Sequence, residues 1–346
     1  MMADAISRFR LRGLALAMIA SLLAPAASFA NSPPHVHAPA DPLETTAEAP
    51  LLVEMMREDR YNRLTLPVRV GGQGPFGFIV DTGAERTVVS RELAARLGLA
   101  SAGQARVVGI AEATMADLFH IDSVHLNHLQ LGSLIVPAFG QAAIGGPGLI
   151  GIDSLENHRL VIDFTTRQID ILESQRTRRR ERQPEFDSDA IVVTARREAG
   201  RMILSSATYN GRRVDLVIDT GGQSSVGNRA LRRLVQAGRR GNRLTDGQLT
   251  SVTGAQLAVE MGSIDVISIA GIDLNNVPVA YADSPVFAVL GLEERPALLL
   301  GMDSLQMFDR VGVDFANRRV TFDLPGGARA RSRSQPLDLR GLVPAR

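Results

Sequence analysis

The sequence predicts an all-β protein of two similar lobes in one chain, with one short helix per lobe. Three observations carry this. Short apolar runs rich in Val, Ile and Leu alternate with Gly turns, the pattern of strands rather than helices. Only two stretches, "RELAARLGL" and "RALRRLVQAG", have helical leucine spacing, and each starts with Arg and ends at Gly. Blocks of the first half also recur, in the same order, in the second.

With 346 residues the chain can bury two cores. A net charge of +1 argues against a polyanion binder, and the lack of Trp with only 3 Tyr argues against base-stacking platforms. Cys is absent, which excludes disulfides, thiol nucleophiles, thiolate metal sites and a lipid-modified cysteine anchor.

At the N-terminus, Arg8, Arg10 and Arg12 precede "GLALAMIASLLAPAASFA". Ser28 and Ala30 suit a secretory cleavage site, so residues 1–30 read as a signal peptide and the mature chain as starting near Asn31. An uncleaved anchor helix is the alternative, since the run nears spanning length. Nothing later is long enough to span a bilayer. An exported, periplasmic protein is expected, without a membrane span after cleavage.

Residues 31–50, rich in Pro and Ala, read as a disordered leader in which His35 and His37 are incidental. The first lobe is assigned to 51–174 and the second to 189–325. Between them, 175–188 holds "QRTRRRERQPEFDS". A nucleic-acid patch needs accompanying aromatics, so the segment reads as a solvated basic linker. Residues 326–346 read as a loose tail.

The repeat joins "FIVDTGAERTVVS" to "LVIDTGGQSSVGN", "VVGI" to "SVTG", "LQLGSLIV" to "IDLNNVPV", "LIGIDSL" to "LLGMDSL" and "LVIDFTTRQIDI" to "VGVDFANRRVTF". Each Asp-Thr-Gly ends a continuous apolar run, as in a strand buried on both faces. An aspartate there is costly unless hydrogen-bonded, and Gly lets the chain turn its N–H groups toward it. Thr82 and Thr220 offer hydroxyls to a facing loop, while Thr87 and Ser225 are positioned to tie each loop back to its own backbone. If the loops meet, two carboxylates share a desolvated site and hold one proton between them at mildly acidic pH. The ionised member then deprotonates a trapped water while the protonated one polarises an amide carbonyl. Such chemistry needs no metal or cofactor, and none is expected.

At these residues the chain resembles the retropepsin-like aspartic peptidases. The resemblance covers roughly Leu51 to Leu324. It implies two closed β-barrel lobes forming a bilobal pseudo-dimer, with Asp81 and Asp219 as the catalytic pair. Thr82 and Thr220 would form a hydrogen-bond lattice beneath them. Gly83, Ala84, Gly221 and Gly222 would support the carboxylates, Gly83 and Gly221 as backbone donors. "LIG" and "LLG" would thread behind the two loops. Flap hairpins are assigned around Gly109 and Ile110 and around Thr253 and Gly254. The expected partner is a peptide or protein in extended conformation, paired with groove and flap in β-strand fashion by a monomer with pseudo-two-fold symmetry. Nucleic acid is not an expected partner.

The sequence departs from the family pattern at Gly222, which replaces the alanine seen at Ala84 and leaves a less constrained loop without a hydroxyl contact to the pair. The flap tips also lack glycine-rich sequence. Glu85 and Arg86 follow the first motif but Gln223 and Ser224 the second, so the cleft is expected to be asymmetric.

Asp153 and Asp303 read as caps or bridges within each lobe, and Asp163 and Asp314 as turn formers. His120, His125, His128 and His158 have no counterparts in the second copy and read as surface or strand positions. Two alternatives stay open: a non-catalytic module holding peptides in the same groove, and a site formed between chains.

Overall fold

Strand formation follows the apolar patterning. Leu64–Val70 buries alternate residues, and Gln73–Val80 begins exposed and ends in the fully buried run Phe78, Ile79 and Val80. Between them Gly71 and Gly72 both take positive φ, as do Asn210 and Gly211 at the matching turn of the second lobe. Such two-residue turns match the right-handed twist of the strands they join. The computed structural model describes residues 52–55, 57–58, 63–126, 129–174, 186, 190–238 and 244–325. The segments expected to be a signal peptide (1–30), a leader with its two histidines (31–50), a basic linker (175–188, apart from Phe186) and a tail (326–346), together with His128, lie outside the described residues.

In the first lobe, Leu64–Val70, Gln73–Val80, Gly148–Ile150, Val88–Ser90, Leu129–Phe139 and Ala113–Leu126 are neighbours in that order. Leu64–Val70 also pairs with Ala113–Leu126, at Arg69 with His125 and Val70 with Val124, closing the sheet into a barrel. The second lobe repeats this plan with Arg201–Tyr209, Arg212–Ile218, Ala297–Leu300, Val226–Gly227, Ile272–Tyr281 and Gln256–Ile269. Pairing of Ala207 with Ile269 closes it. Closure removes the unpaired sheet edges that a flat sheet would present.

Both expected helices form. Arg91–Leu97 is capped by Ser90, whose Oγ accepts from the Leu93 N–H at 3.0 Å, and is ended by Gly98 at φ 62°. Arg229–Gly238 is capped by Asn228, which accepts from the Leu231 N–H at 2.8 Å. Each lobe adds short helical turns, among them Gln141–Ile144 and Pro285–Val289, too brief to leave a helical period in the sequence.

The repeated "VIDF" and "GVDF" hairpins do more than cap their lobes. They join edge to edge, His158–Asp163 against Arg310–Asp314, within one six-stranded sheet ordered Leu52–Met55, Gln168–Glu173, His158–Asp163, Arg310–Asp314, Arg319–Asp323 and Ile191–Thr194. Leu160, Ile162, Ile169 and Ile171 from one half and Val311, Val313, Val320 and Phe322 from the other are buried in one continuous core cluster. Complete burial of such a side chain contributes about 1.5–3 kcal/mol. The shared core holds the two barrels in one register and so fixes the spacing of their loops.

Candidate active site

The strands Gln73–Val80 and Arg212–Ile218 each end at an aspartate, and the two loops meet between the barrels. Four hydrogen bonds lock them. The Thr82 N–H donates to Thr220 Oγ1 at 3.0 Å and the Thr220 N–H to Thr82 Oγ1 at 3.1 Å. Thr82 Oγ1 then donates to the Ile218 carbonyl at 2.9 Å and Thr220 Oγ1 to the Val80 carbonyl at 2.7 Å. Both threonines are buried, so every donor and acceptor in the lattice depends on its partner.

The lattice presses each loop against the other's carboxylate. A Cβ added to Gly221 would lie 2.1 Å from Asp81 Cγ, and one on Gly83 2.5 Å from Asp219 Oδ1. Only glycine fits this approach. Behind the loops, Gly151 and Gly301 of the "LIG" and "LLG" segments pass so close that an added Cβ would lie 2.3 Å from the Arg86 carbonyl carbon and 2.7 Å from that of Ser224.

The two carboxylates are not equivalently held. Asp81 Oδ1 accepts from the Gly83 N–H at 2.8 Å, while the Ala84 N–H turns to the Asp81 backbone carbonyl at 3.3 Å. Asp219 Oδ1 accepts from both Gly221 at 3.2 Å and Gly222 at 3.0 Å. Gly222 is therefore not merely a looser residue: it contributes a second donor. Burial, and next the facing Asp219, push Asp81 up to about 7 against the Gly83 N–H, Arg201 and Arg63. Burial also raises Asp219, opposed by Gly222, Arg201, Gly221 and Arg63. A pair so arranged favours a single shared proton near neutrality.

Arg63 and Arg201 belong to the candidate site, and the motifs did not point to them. Both are buried and line the cavity; Arg201 Nε donates to the Gly83 carbonyl at 2.5 Å, and Arg63 donates to the Ile144 carbonyl at 2.7 Å. They occupy equivalent positions upstream of the two aspartates, so extending the repeat leftward from the motifs would have found them.

The flap assignments fall at the tips of two hairpins over the same cavity, of about 630 Å³. The Gly109 N–H closes one tip on the Glu112 carbonyl at 2.8 Å, and the Ser251 N–H closes the other on the Ala255 carbonyl at 2.8 Å. The tips touch, since an added Cβ on Gly109 would lie 2.8 Å from Ser251 Oγ and 3.0 Å from Thr253 Cγ2. Each also crosses to the opposite lobe. Ile110 packs against the second lobe's cluster, its carbonyl accepting from Ser284 Oγ at 2.6 Å, while Val252 packs against Ile79, Val88 and their neighbours in the first. Gly254 takes φ 92° and faces Ala143. A glycine-rich tip is thus replaced by apolar anchoring.

Thr87 and Ser225 do not tie back to their own loops as expected. Thr87 donates to Asp153 through its N–H at 2.9 Å and its hydroxyl at 2.8 Å, and the Gly151 N–H donates to Thr87 Oγ1 at 3.1 Å. Ser225 does the same with Asp303 and Gly301. The repeated Asp153 and Asp303 are therefore bridges to the segment behind each loop. Asp163 and Asp314 form turns, with Thr166 and Asn317 N–H donors at 2.8 and 2.9 Å, and Asp163 also receives Arg310 Nε across the shared sheet at 2.7 Å. His120 contacts Ser133 and Asp122. Among the described residues no cluster of three or more His, Cys, Asp or Glu could hold a metal ion.

Paired Asp-Thr-Gly loops meet between two closed barrels, and the family comparison agrees with that architecture. Residues 66–154 and 205–304 each match the aspartyl protease family model, and the chain belongs to that retropepsin-like family. Over 121 residues the chain is 30% identical to DNA damage-inducible protein 1 of Yarrowia lipolytica. That stretch covers 34% of this chain and 30% of the yeast protein, so the chain spans less than a third of this relative's length.

Proposed function

We propose that the chain is an aspartic endopeptidase whose catalytic pair, Asp81 and Asp219, comes from the two halves of one molecule. The observation that supports this best is the reciprocal threonine lattice, which brings each motif's glycine against the other motif's carboxylate. In the resting state one proton is shared and one negative charge remains. The ionised carboxylate takes a proton from a water held between the pair. The hydroxide oxygen bonds to the scissile carbonyl carbon as the protonated carboxyl donates to the carbonyl oxygen. Collapse of the tetrahedral intermediate breaks the C–N bond, the amine nitrogen takes a proton, and the pair returns to one proton. The substrate lies extended under the two flaps, adding its backbone to theirs. The signal-peptide pattern of residues 1–30 supports an exported, periplasmic site of action.

The test is cleavage of an unfolded protein between pH 4 and 7 by wild type, Asp81→Asn and Asp219→Asn. Wild type alone is expected to cut, and a mixture of the two variants is expected to stay inactive. Equal cleavage by all three would refute the peptidase reading. Recovery on mixing would move the site to an interface between chains.

A further inference from the structure

Several residues that line the cavity in one lobe have a counterpart lining it in the other, so differences between the two walls stand out. Behind the first motif stand Glu85 and Arg86, and behind the second Gln223 and Ser224. Two residues before the last paired position of each flap hairpin, Val108 with Ala113 and Thr250 with Gln256, the first lobe has Arg106 and the second Gln248. All six line the cavity.

Arg86 and Arg106 are exposed, and their guanidinium groups have no hydrogen-bond or ion-pair partner among the described residues. That is unlike the other arginines of the cavity. Arg63 and Arg201 are buried against backbone carbonyls and act on the aspartate pair. Glu85, also exposed, opposes the two free guanidiniums with one charge. The cavity as a whole sets four arginines against Glu85 and the single charge of the aspartate pair, and its uncommitted positive charge is confined to the first lobe's side. A cleft with low-dielectric walls and one sign of charge concentrates ligands of the other sign.

We propose that the cleft selects peptides carrying aspartate or glutamate on the flank that lies along Arg86 and Arg106, with uncharged polar residues on the flank along Gln223, Ser224 and Gln248. The proposal deepens the peptidase reading and rests on it. Acidic side chains supply the planar carboxylates that a guanidinium fork binds best. The two arginines thereby orient the peptide as well as select it, because the reversed peptide would present its carboxylates to the neutral half.

The experiment uses the full chain and pairs of fluorogenic peptides of identical core, one flank carrying Asp and Glu or Ser and Gln, at pH 5.5 and at 50 and 500 mM salt. Wild type is expected to favour the acidic member by about 2- to 5-fold for each engaged arginine, the usual range for exposed pairs, with the ratio shrinking at high salt. In Arg86→Ser/Arg106→Gln, which installs the second lobe's residues, the ratio is expected to fall to about one. Circular dichroism of that variant checks that it folds, and Arg86→Lys/Arg106→Lys is expected to retain part of the preference. Anisotropy of the same peptides on Asp81→Asn reads binding without turnover. Cleavage with no acidic preference would overturn this inference and leave the peptidase reading intact. Acidic-selective binding without cleavage by wild type would do the reverse.

Discussion

Replacing Asp81 by asparagine has a consequence for stability that can be worked out from the site. Asp81 is raised from 3.8 to about 7 in the folded chain. Between those values the native state holds a proton that the unfolded chain has released, so stability falls as pH rises through this window. The full loss, above pH 7, is about 4 kcal/mol at 1.36 kcal/mol per unit, taken as an upper figure because the pair titrates together. Asparagine cannot ionise, and its Oδ1 can still accept from the Gly83 N–H. Asp81→Asn is therefore expected to match wild type near pH 4 and to exceed it at pH 8, by roughly 5–10 °C in Tm. Circular dichroism melts from pH 4 to 8 measure both slopes. Parallel curves for the two proteins would refute the coupling of burial and charge at this carboxylate.

Other changes probe separate parts of the site. Gly222→Ala would put a Cβ 3.0 Å from Asp219 Oδ2 and disturb the Gly222 N–H bond to that carboxyl group. The acidic limb of the pH–rate profile is expected to rise by about one unit, and an unmoved limb would count against Gly222 as a donor that matters. Thr220→Ala removes two lattice bonds and strands the Thr82 N–H and Val80 carbonyl, costing about 2–5 kcal/mol in denaturant unfolding, while Thr220→Ser is expected to recover most of it. Ser284→Ala frees the Ile110 carbonyl, and hydrogen exchange at the tip residues 109–112 is expected to quicken by about fivefold with a rise in KM. Below pH 4 the slope of stability reverses. Burial works against an ionised Asp163, but bonds from Thr165, Thr166 and Arg310 outweigh it and hold the group at about 2. Its contribution is present above 3.8 and lost as pH falls through 2, which Asp163→Asn is expected to flatten.

Much of this architecture was legible in sequence because the repeat encodes it twice. The buried runs before Asp81 and Asp219, the glycines after them and the two amphipathic helices follow from local patterning, which one chain segment can reveal alone. Legibility ended where one segment's role depends on another. The hairpins ending at Asp163 and Asp314 were visible, but their joining into a single sheet depends on which edges meet. Thr87 and Ser225 carry hydroxyls that suit a local turn equally well, and only the fold brings Asp153 and Asp303 to them. Arg63 and Arg201 lie outside the motifs; the repeat pairs them with each other, but only closure of the barrels brings both to the acidic pair. Gly222 reads as lost constraint from its missing side chain, yet its backbone N–H faces a carboxylate.

The most direct measurement of the central claim is a carbon NMR titration of the full chain with aspartate labelled at Cγ, assigned with Asp81→Asn and Asp219→Asn. The account predicts that Asp81 and Asp219 titrate as a coupled pair, with one step displaced toward neutral pH, and that removing Asp219 lowers the step belonging to Asp81. Two independent titrations near the ordinary aspartate value, each indifferent to loss of the other residue, would contradict it.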